Sequence, residues 1–199
     1  MEIGFSKNKI EFKKELNALD RLTIQFTSII NGLKIKHVLV SGYVAILFGR
    51  SRASEDIDII AEKLEFARFE EMWKETIKQF DCLNVINPKD AYYGYLLKGH
   101  AIRFSRKGKA IPNIEFKFPK VELDRWAITY RKTILLNNNH LFISPLELQI
   151  AYKLFLGSDK DIEDAVYLYR LFKKNLDTGI LQEFVGKLKV HPLFKKHCK

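Results

Sequence analysis

The sequence predicts an α+β fold: a short mixed β-sheet flanked by helices, with a C-terminal helical part. Three observations carry that expectation. A strand, tight turn, helix and second strand succeed one another between Val38 and Ile60, short strands recur between Tyr93 and Phe118, and helical periodicity takes over from Ser144. Composition agrees with a folded chain. Of 199 residues 47% are hydrophobic and 29% charged, which excludes both an intrinsically disordered polymer and a membrane bundle. The net charge is +10, a moderately basic balance.

In chain order, Ile10, Leu16, Leu19, Phe26 and Ile30 recur in a polar background, so Lys9 to Asn31 reads as an amphipathic helix ended by Asn31-Gly32. Val38-Leu39-Val40 is a short buried strand, and Ser41-Gly42 turns the chain into an apolar helix ending at Phe48-Gly49. After a loop over residues 50–55, Asp56-Ile57-Asp58-Ile59-Ile60 alternates acidic and apolar residues, the pattern of a strand with both aspartates on one face. Phe66, Phe69, Met72, Trp73, Ile77 and Phe80 form a helical stripe that reads as core. Tyr93–Leu97, Ala101–Ser105 and Ile114–Phe118 read as a β-meander linked by Lys98-Gly99 and Arg106-Lys107-Gly108-Lys109. Ser144-Pro145-Leu146-Glu147 opens a helix, with Ser144 as N-cap, and Gly157-Ser158 and Asp177-Thr178-Gly179 separate two more. This divides the chain into a core over residues 1–140, including the N-terminal helix, and a helical region over 141–199 packed on it.

Cys82 and Cys198 make neither a disulfide framework nor a zinc motif, which points to reducing cytoplasm. The N-terminal residues carry charges every few positions and lack the apolar core of a secretory signal. The longest nearly uncharged run, His37 to Gly49, is shorter than the ~20 residues of a bilayer span, so no membrane association is expected.

The chemistry concentrates between Ser41 and Ile60. A small-residue turn opening a helix offers backbone N–H groups and the positive helix end to phosphate oxygens. Asp56 and Asp58, ~7 Å apart along one strand face by strand rise, supply oxygen ligands for a hard divalent cation such as Mg²⁺ or Mn²⁺. Such an ion relieves their mutual repulsion, bridges the phosphates of a nucleoside triphosphate and lowers the pKa of an attacking hydroxyl. Taken alone, two alternating acids are also the pattern of a solvated strand face. The thirteen residues between Gly42 and Asp56 leave room for a helix and a return loop, which favours the site.

Ser41 to Ile60 resembles the signature of the DNA-polymerase-beta-like nucleotidyltransferase superfamily: an apolar strand, a Gly-Gly or Gly-Ser turn, a helix, then two aspartates flanking an apolar residue on the next strand. Gly49-Arg50-Ser51-Arg52-Ala53-Ser54-Glu55-Asp56-Ile57-Asp58 is most similar to small prokaryotic members related to abortive-infection toxins. Ser41 departs from the pattern, standing where glycine is commoner. The resemblance implies a minimal nucleotidyltransferase fold, a magnesium-dependent transfer of a nucleoside monophosphate from an NTP to a hydroxyl of RNA, protein or a small molecule, and release of pyrophosphate. It implies Asp56 and Asp58 as catalytic metal ligands and Glu115 as a third carboxylate, acting as general base or further ligand. Ser41, Gly42, Arg52 and Ser54 are implied around the nucleotide. A second likeness, from Ser144 to Ala165, implies Lys153 and Asp161 at the nucleotide, with Asp164 in the same motif, and a cognate antitoxin as partner.

Plainer readings exist for several of these residues. Glu115 and Lys117 share a strand face and can form a surface ion pair, Lys153 can be a solvated helix lysine, and Asp161 can cap a helix. Lys98, His100, Arg103, Arg106, Lys107 and Lys109, with Tyr92, Tyr93 and Tyr95 for stacking, suit either a nucleic-acid track or a charged edge that deters strand pairing. Two alternatives to the enzyme follow: an inactive nucleotidyltransferase-fold protein that binds nucleotide or RNA, within a toxin–antitoxin pair, and an RNA-binding module with an incidental acidic pair.

Overall fold

The computed structural model describes residues 3–6 and 9–198. Its centre is a mixed sheet in which nine strands are described: β1 (Ile3–Ser6), β2 (Lys9–Phe12), β3 (His37–Val40), β4 (Asp56–Ala61), β5 (Phe80–Cys82), β6 (Ile102–Arg106), β7 (Asn113–Lys117), β8 (Lys132–Leu136) and β9 (Asn139–Ile143). They lie in the order β1-β2-β8-β9-β3-β4-β7-β6-β5. The helices are α1 (Ala18–Gly32), α2 (Gly42–Leu47), α3 (Phe66–Thr76), α4 (Glu122–Thr129), α5 (Leu146–Leu156), α6 (Asp159–Phe172), α7 (Thr178–Lys187) and α8 (His191–His197). The α+β architecture with a mixed sheet and a helical C-terminal part is thus as the sequence predicts, with a longer sheet.

The middle of the sheet is its driest part. Val38, Leu39, Ile57, Ile59, Ile114 and Phe116 on β3, β4 and β7 are fully buried, and the alternation along β4 sends Ile57 and Ile59 inward while Asp56 and Asp58 face the other way. β4 pairs antiparallel with β3 and parallel with β7, in a register that sets Asp56 opposite Asn113 and Asp58 opposite Glu115. Because paired residues in register share a face, the third acid stands beside the second.

Three local expectations are corrected. The first helix starts at Ala18, not Lys9: Lys9–Phe12 is a strand whose Ile10 and Phe12 are buried as it pairs in parallel with β8. Asn17 then caps α1 through a reciprocal bond pair with Asp20. Tyr93–Leu97 is helical, part of a π-helical turn (Asp90–Tyr95) and a 3₁₀ turn (Leu96–Lys98), because Ala91, Tyr92 and Leu96 are all drawn into the core. The meander survives with another first strand, β5-β6-β7, and its basic turn follows β6. Ser144 does not cap α5; its hydroxyl donates to Gln149 Oε1 at 2.8 Å. Asn137 and Asn138, both at positive φ, turn β8 into β9, so the expected division between residues 140 and 141 falls within β9. No helix among the described residues is long and apolar enough to cross a membrane.

Candidate active site

Asp56, Asp58 and Glu115 come together on one face of β4 and β7. Each carboxylate already has a partner. Asn113 Nδ2 donates to Asp56 Oδ1 at 2.7 Å, Lys117 Nζ to Asp58 Oδ1 at 2.8 Å, and Arg103, one strand over on β6, gives both Nε and Nη2 to Glu115 Oε1 at 2.9 and 2.6 Å. In place of the alternative pairing of Glu115 with Lys117, Glu115 pairs with Arg103 and Lys117 with Asp58. Lys117 reaches across to Asp58 because β4 and β7 are hydrogen-bonded neighbours, and Arg103 sits directly opposite Glu115. Burial works against the charge of Lys117, but Asp58, followed by Glu115 and Asp124, holds its pKa above the usual lysine value. Arg103 is raised likewise by its bond to Glu115.

Beside the acids lies the Ser41-Gly42 turn, with Val40 of β3 in register with Asp58. Ser41 adopts φ 65° and ψ −144°, a conformation almost confined to glycine. The helix it opens has only six residues, too few to bring much macrodipole to the turn. Positive charge comes from Arg52 instead. Its guanidinium lies so close to Gly42 that a Cβ there would meet Nη1 at 2.9 Å, so a side chain at this position would have to displace Arg52. Burial, and then the neighbouring Arg50, lower the pKa of Arg52.

Arg52 is held from behind by Asp164, whose fully buried carboxylate pairs with Arg50, Arg52 and Lys153; the Lys153 contact is 2.7 Å. Lys153, 2% exposed, also donates to Asp161 Oδ1 at 2.7 Å. Burial lowers its pKa, with Asp161 opposing. Burial would raise the pKa of Asp161, but the bonds from Lys153 and Ser158 bring it below the usual carboxylate value. The reading of Lys153 as a solvated lysine is thus corrected. The capping role falls to Ser158, which accepts from the Asp161 N–H. Ser54 donates to the Asp56 carbonyl at 3.1 Å and fixes the entry into β4.

A cleft of about 400 Å³ opens on this arrangement, lined among others by Ser41, Asp58, Lys117, Lys120, Tyr152 and Lys153. Of the stacking residues, Tyr92 is excluded: its ring is buried and its hydroxyl donates to the Leu64 carbonyl at 2.7 Å. Arg106 is occupied with Gln25, and Tyr93 stays exposed.

The acids offer oxygen donors, the ligand type that a hard divalent cation takes. Asp56 and Asp58 would hold it and Glu115 could complete the set, with Lys117 and Arg103 giving way. No group of three or more His, Cys, Asp or Glu side chains among the described residues is already drawn together as a metal cage. Gln149 and Asn113 are the neighbours that sequence reasoning missed, and Lys117 and Arg103 were read there with other partners or roles. Only Asn113 and Lys117 carried a local signal, standing two residues either side of Glu115 on the same strand face.

An antigenic nucleotidyltransferase-like protein from Paracoccidioides brasiliensis superposes over 88% of this chain and 89% of its own, with a TM-score of 0.55 at 15% identity. The antibiotic-resistance factor ANT(2'')-Ia superposes over 87% and 95%, with a TM-score of 0.51 at 8% identity. The chain has a nucleotidyltransferase fold. At such identities the likeness is one of fold alone, and no family model and no curated protein matches the sequence. Within the nucleotidyltransferase fold of this chain, the acids stand on central strands and the glycine turn on the strand beside them.

Proposed function

We propose that this chain is a metal-dependent nucleotidyltransferase that moves a nucleoside monophosphate from an NTP to a hydroxyl acceptor and releases pyrophosphate. The observation that carries the reading is the placement of Asp56, Asp58 and Glu115 on one face of the neighbouring strands β4 and β7, beside the Ser41-Gly42 turn and the Arg52 guanidinium. In this reading the acceptor oxygen attacks the α-phosphorus while the bond from that phosphorus to the bridging oxygen breaks. Pyrophosphate leaves, and the acceptor proton passes to Glu115. Both Arg103 bonds go to Oε1, which leaves Oε2 for that proton. Divalent metal bound by Asp56 and Asp58 would supply charge neutralisation at the phosphates. Lys117, Lys120 and Lys153 bring positive charge to the same cleft, and Arg52 stands against Gly42 with the Asp164 carboxylate behind it. A nucleotide or small-molecule substrate also suits the company of ANT(2'')-Ia, described as an antibiotic-resistance factor with substrate-regulated conformational dynamics. The resemblance to abortive-infection proteins adds RNA or protein as acceptor and a cognate antitoxin as partner.

One observation favours a second reading, a nucleotide- or RNA-binding protein without turnover: Asp58 and Glu115 are already matched by Lys117 and Arg103. Incubation with each radiolabelled NTP and Mg²⁺ or Mn²⁺, alongside cellular RNA and protein fractions, separates the two. Label in a macromolecular or small-molecule product with matching pyrophosphate release supports transfer. Metal-dependent binding with no product supports the second reading.

A further inference from the structure

The strained turn at Ser41 is held by a buried side chain from a distant helix. Gln149 of α5 is 4% exposed and donates from Nε2 to the Ser41 carbonyl at 2.7 Å. Its orientation is fixed in turn, because the Ser144 hydroxyl, itself buried, donates to Gln149 Oε1 at 2.8 Å. The Ser41 carbonyl can only accept, so the NH₂ is the group aimed at the turn and the amide oxygen is the atom that meets the Ser144 hydroxyl. Ser41 is the residue that needs such a hold, since a side chain at φ 65° and ψ −144° is strained and persists only where its surroundings determine it.

We infer that Gln149 is a positioning residue for the nucleotide site, a latch that keeps the Ser41-Gly42 backbone in the conformation that receives the triphosphate. The inference rests on the function proposed above for this turn. Glycine at position 41 would adopt the same backbone without strain, so a chain carrying glycine there has no need of the latch. Serine makes the turn depend on α5, and the latch is the compensation.

The test uses the full chain, with Gln149→Met, of similar length but without the donor, made in the wild-type and Ser41→Gly backgrounds. ATP affinity with Mn²⁺ is measured by calorimetry, stability by urea unfolding, and turn conformation by the Gly42 amide resonance. In the wild-type background Gln149→Met should weaken ATP binding about tenfold, equivalent to about 1.4 kcal/mol, and shift the Gly42 resonance. In the Ser41→Gly background the same change should cost less than twofold and leave the resonance in place. Stability separates positioning from plain structure, since the Ser41 carbonyl loses its donor in both backgrounds and the unfolding penalty should persist in both. Equal loss of affinity in the two backgrounds, or no loss in either, overturns the inference. Should the wild-type chain bind no nucleotide, the functional reading fails, while an unshifted Gly42 resonance in Gln149→Met would refute the latch itself.

Discussion

Replacing Asp164 by Asn keeps its shape and removes a charge on which three cations converge. The carboxylate is fully buried, and its partners Arg50, Arg52 and Lys153 have side chains only 12%, 17% and 2% exposed. Removing one member of a buried ionic cluster costs about 3–5 kcal/mol, because the remaining charges keep their desolvation penalty and lose the interaction that offset it. Lys153 would retain Asp161, and Arg50 would retain the exposed Glu163, so the lower half of that range is expected. The reverse substitution, Lys153→Met, leaves Asp164 with two arginines and should cost less, about 1–3 kcal/mol. Urea unfolding at neutral pH measures both. With a slope of about 2 kcal/mol per molar urea, Asp164→Asn should lower the midpoint by about 1.5–2 M. Salt supplies the control, since a buried cluster is poorly screened and the loss should survive 0.5 M sodium chloride. A cost below about 1 kcal/mol, or one that vanishes in salt, would class the cluster with surface ion pairs and refute the clamp on Arg52.

Other expectations concern chemistry and pH. Glu115→Gln should reduce turnover at least a hundredfold while keeping ATP affinity within about threefold, because positioning survives and proton acceptance does not; equal losses in single-turnover rate and affinity would make Glu115 a binding residue. Asp56→Asn should abolish the metal dependence of NTP binding in calorimetry, and an unchanged dependence would show that the aspartates hold no metal. His37 is buried, which lowers its pKa to about 4, the bond to the Ile35 carbonyl opposing and Arg131 adding to the effect. The unfolded chain takes up that proton near pH 6.5 and the folded chain does not, so this contribution to stability is complete above 6.5. It falls by up to about 3 kcal/mol as pH drops to 4. Urea unfolding of His37→Leu should be flatter than wild type over that window; parallel pH profiles would show that the ring is hydrated when folded.

The acidic strand was legible because its signal is local: alternation along Asp56–Ile60 fixes which residues share a face, whatever the strand pairs with. Pairing was not legible. β2 and β8 join residues more than a hundred positions apart in parallel, as Ile10 with Ile134, and nothing in Lys9–Phe12 distinguishes a strand from the first turn of a helix until that partner is known. The same holds for the site. Asp58, Glu115 and Lys117 were visible as residues, but who neutralises whom depends on the register of β4, β7 and β6. Gln149 was invisible as a site residue because its meaning lies in the backbone angles of Ser41, which the sequence shows only as serine in place of the commoner glycine. Tyr93–Leu97 misled because aromatic and branched side chains favour strands, and here core packing of Tyr92 and Leu96 overrides that propensity.

The two halves of the site are built by different means. The acids are carried by the dry centre of the sheet, whose hydrogen-bonded register fixes them independently of what packs elsewhere. The segment from Ser41 to Arg52 is held from outside the sheet, by α5 and α6: Gln149 on the Ser41 carbonyl, Tyr167 on the Phe48 carbonyl at 2.9 Å, and Asp164 on Arg50 and Arg52. Removing Glu115 should therefore alter chemistry with little effect on folding, since it is partly exposed and its partner Arg103 is half-exposed and can turn to water. Loosening a helix contact should alter folding and nucleotide geometry together. The C-terminal helices wall the segment from Ser41 to Arg52, and their polar contacts converge on a stretch where the Ser41 backbone is strained and where a side chain at Gly42 would have to displace Arg52.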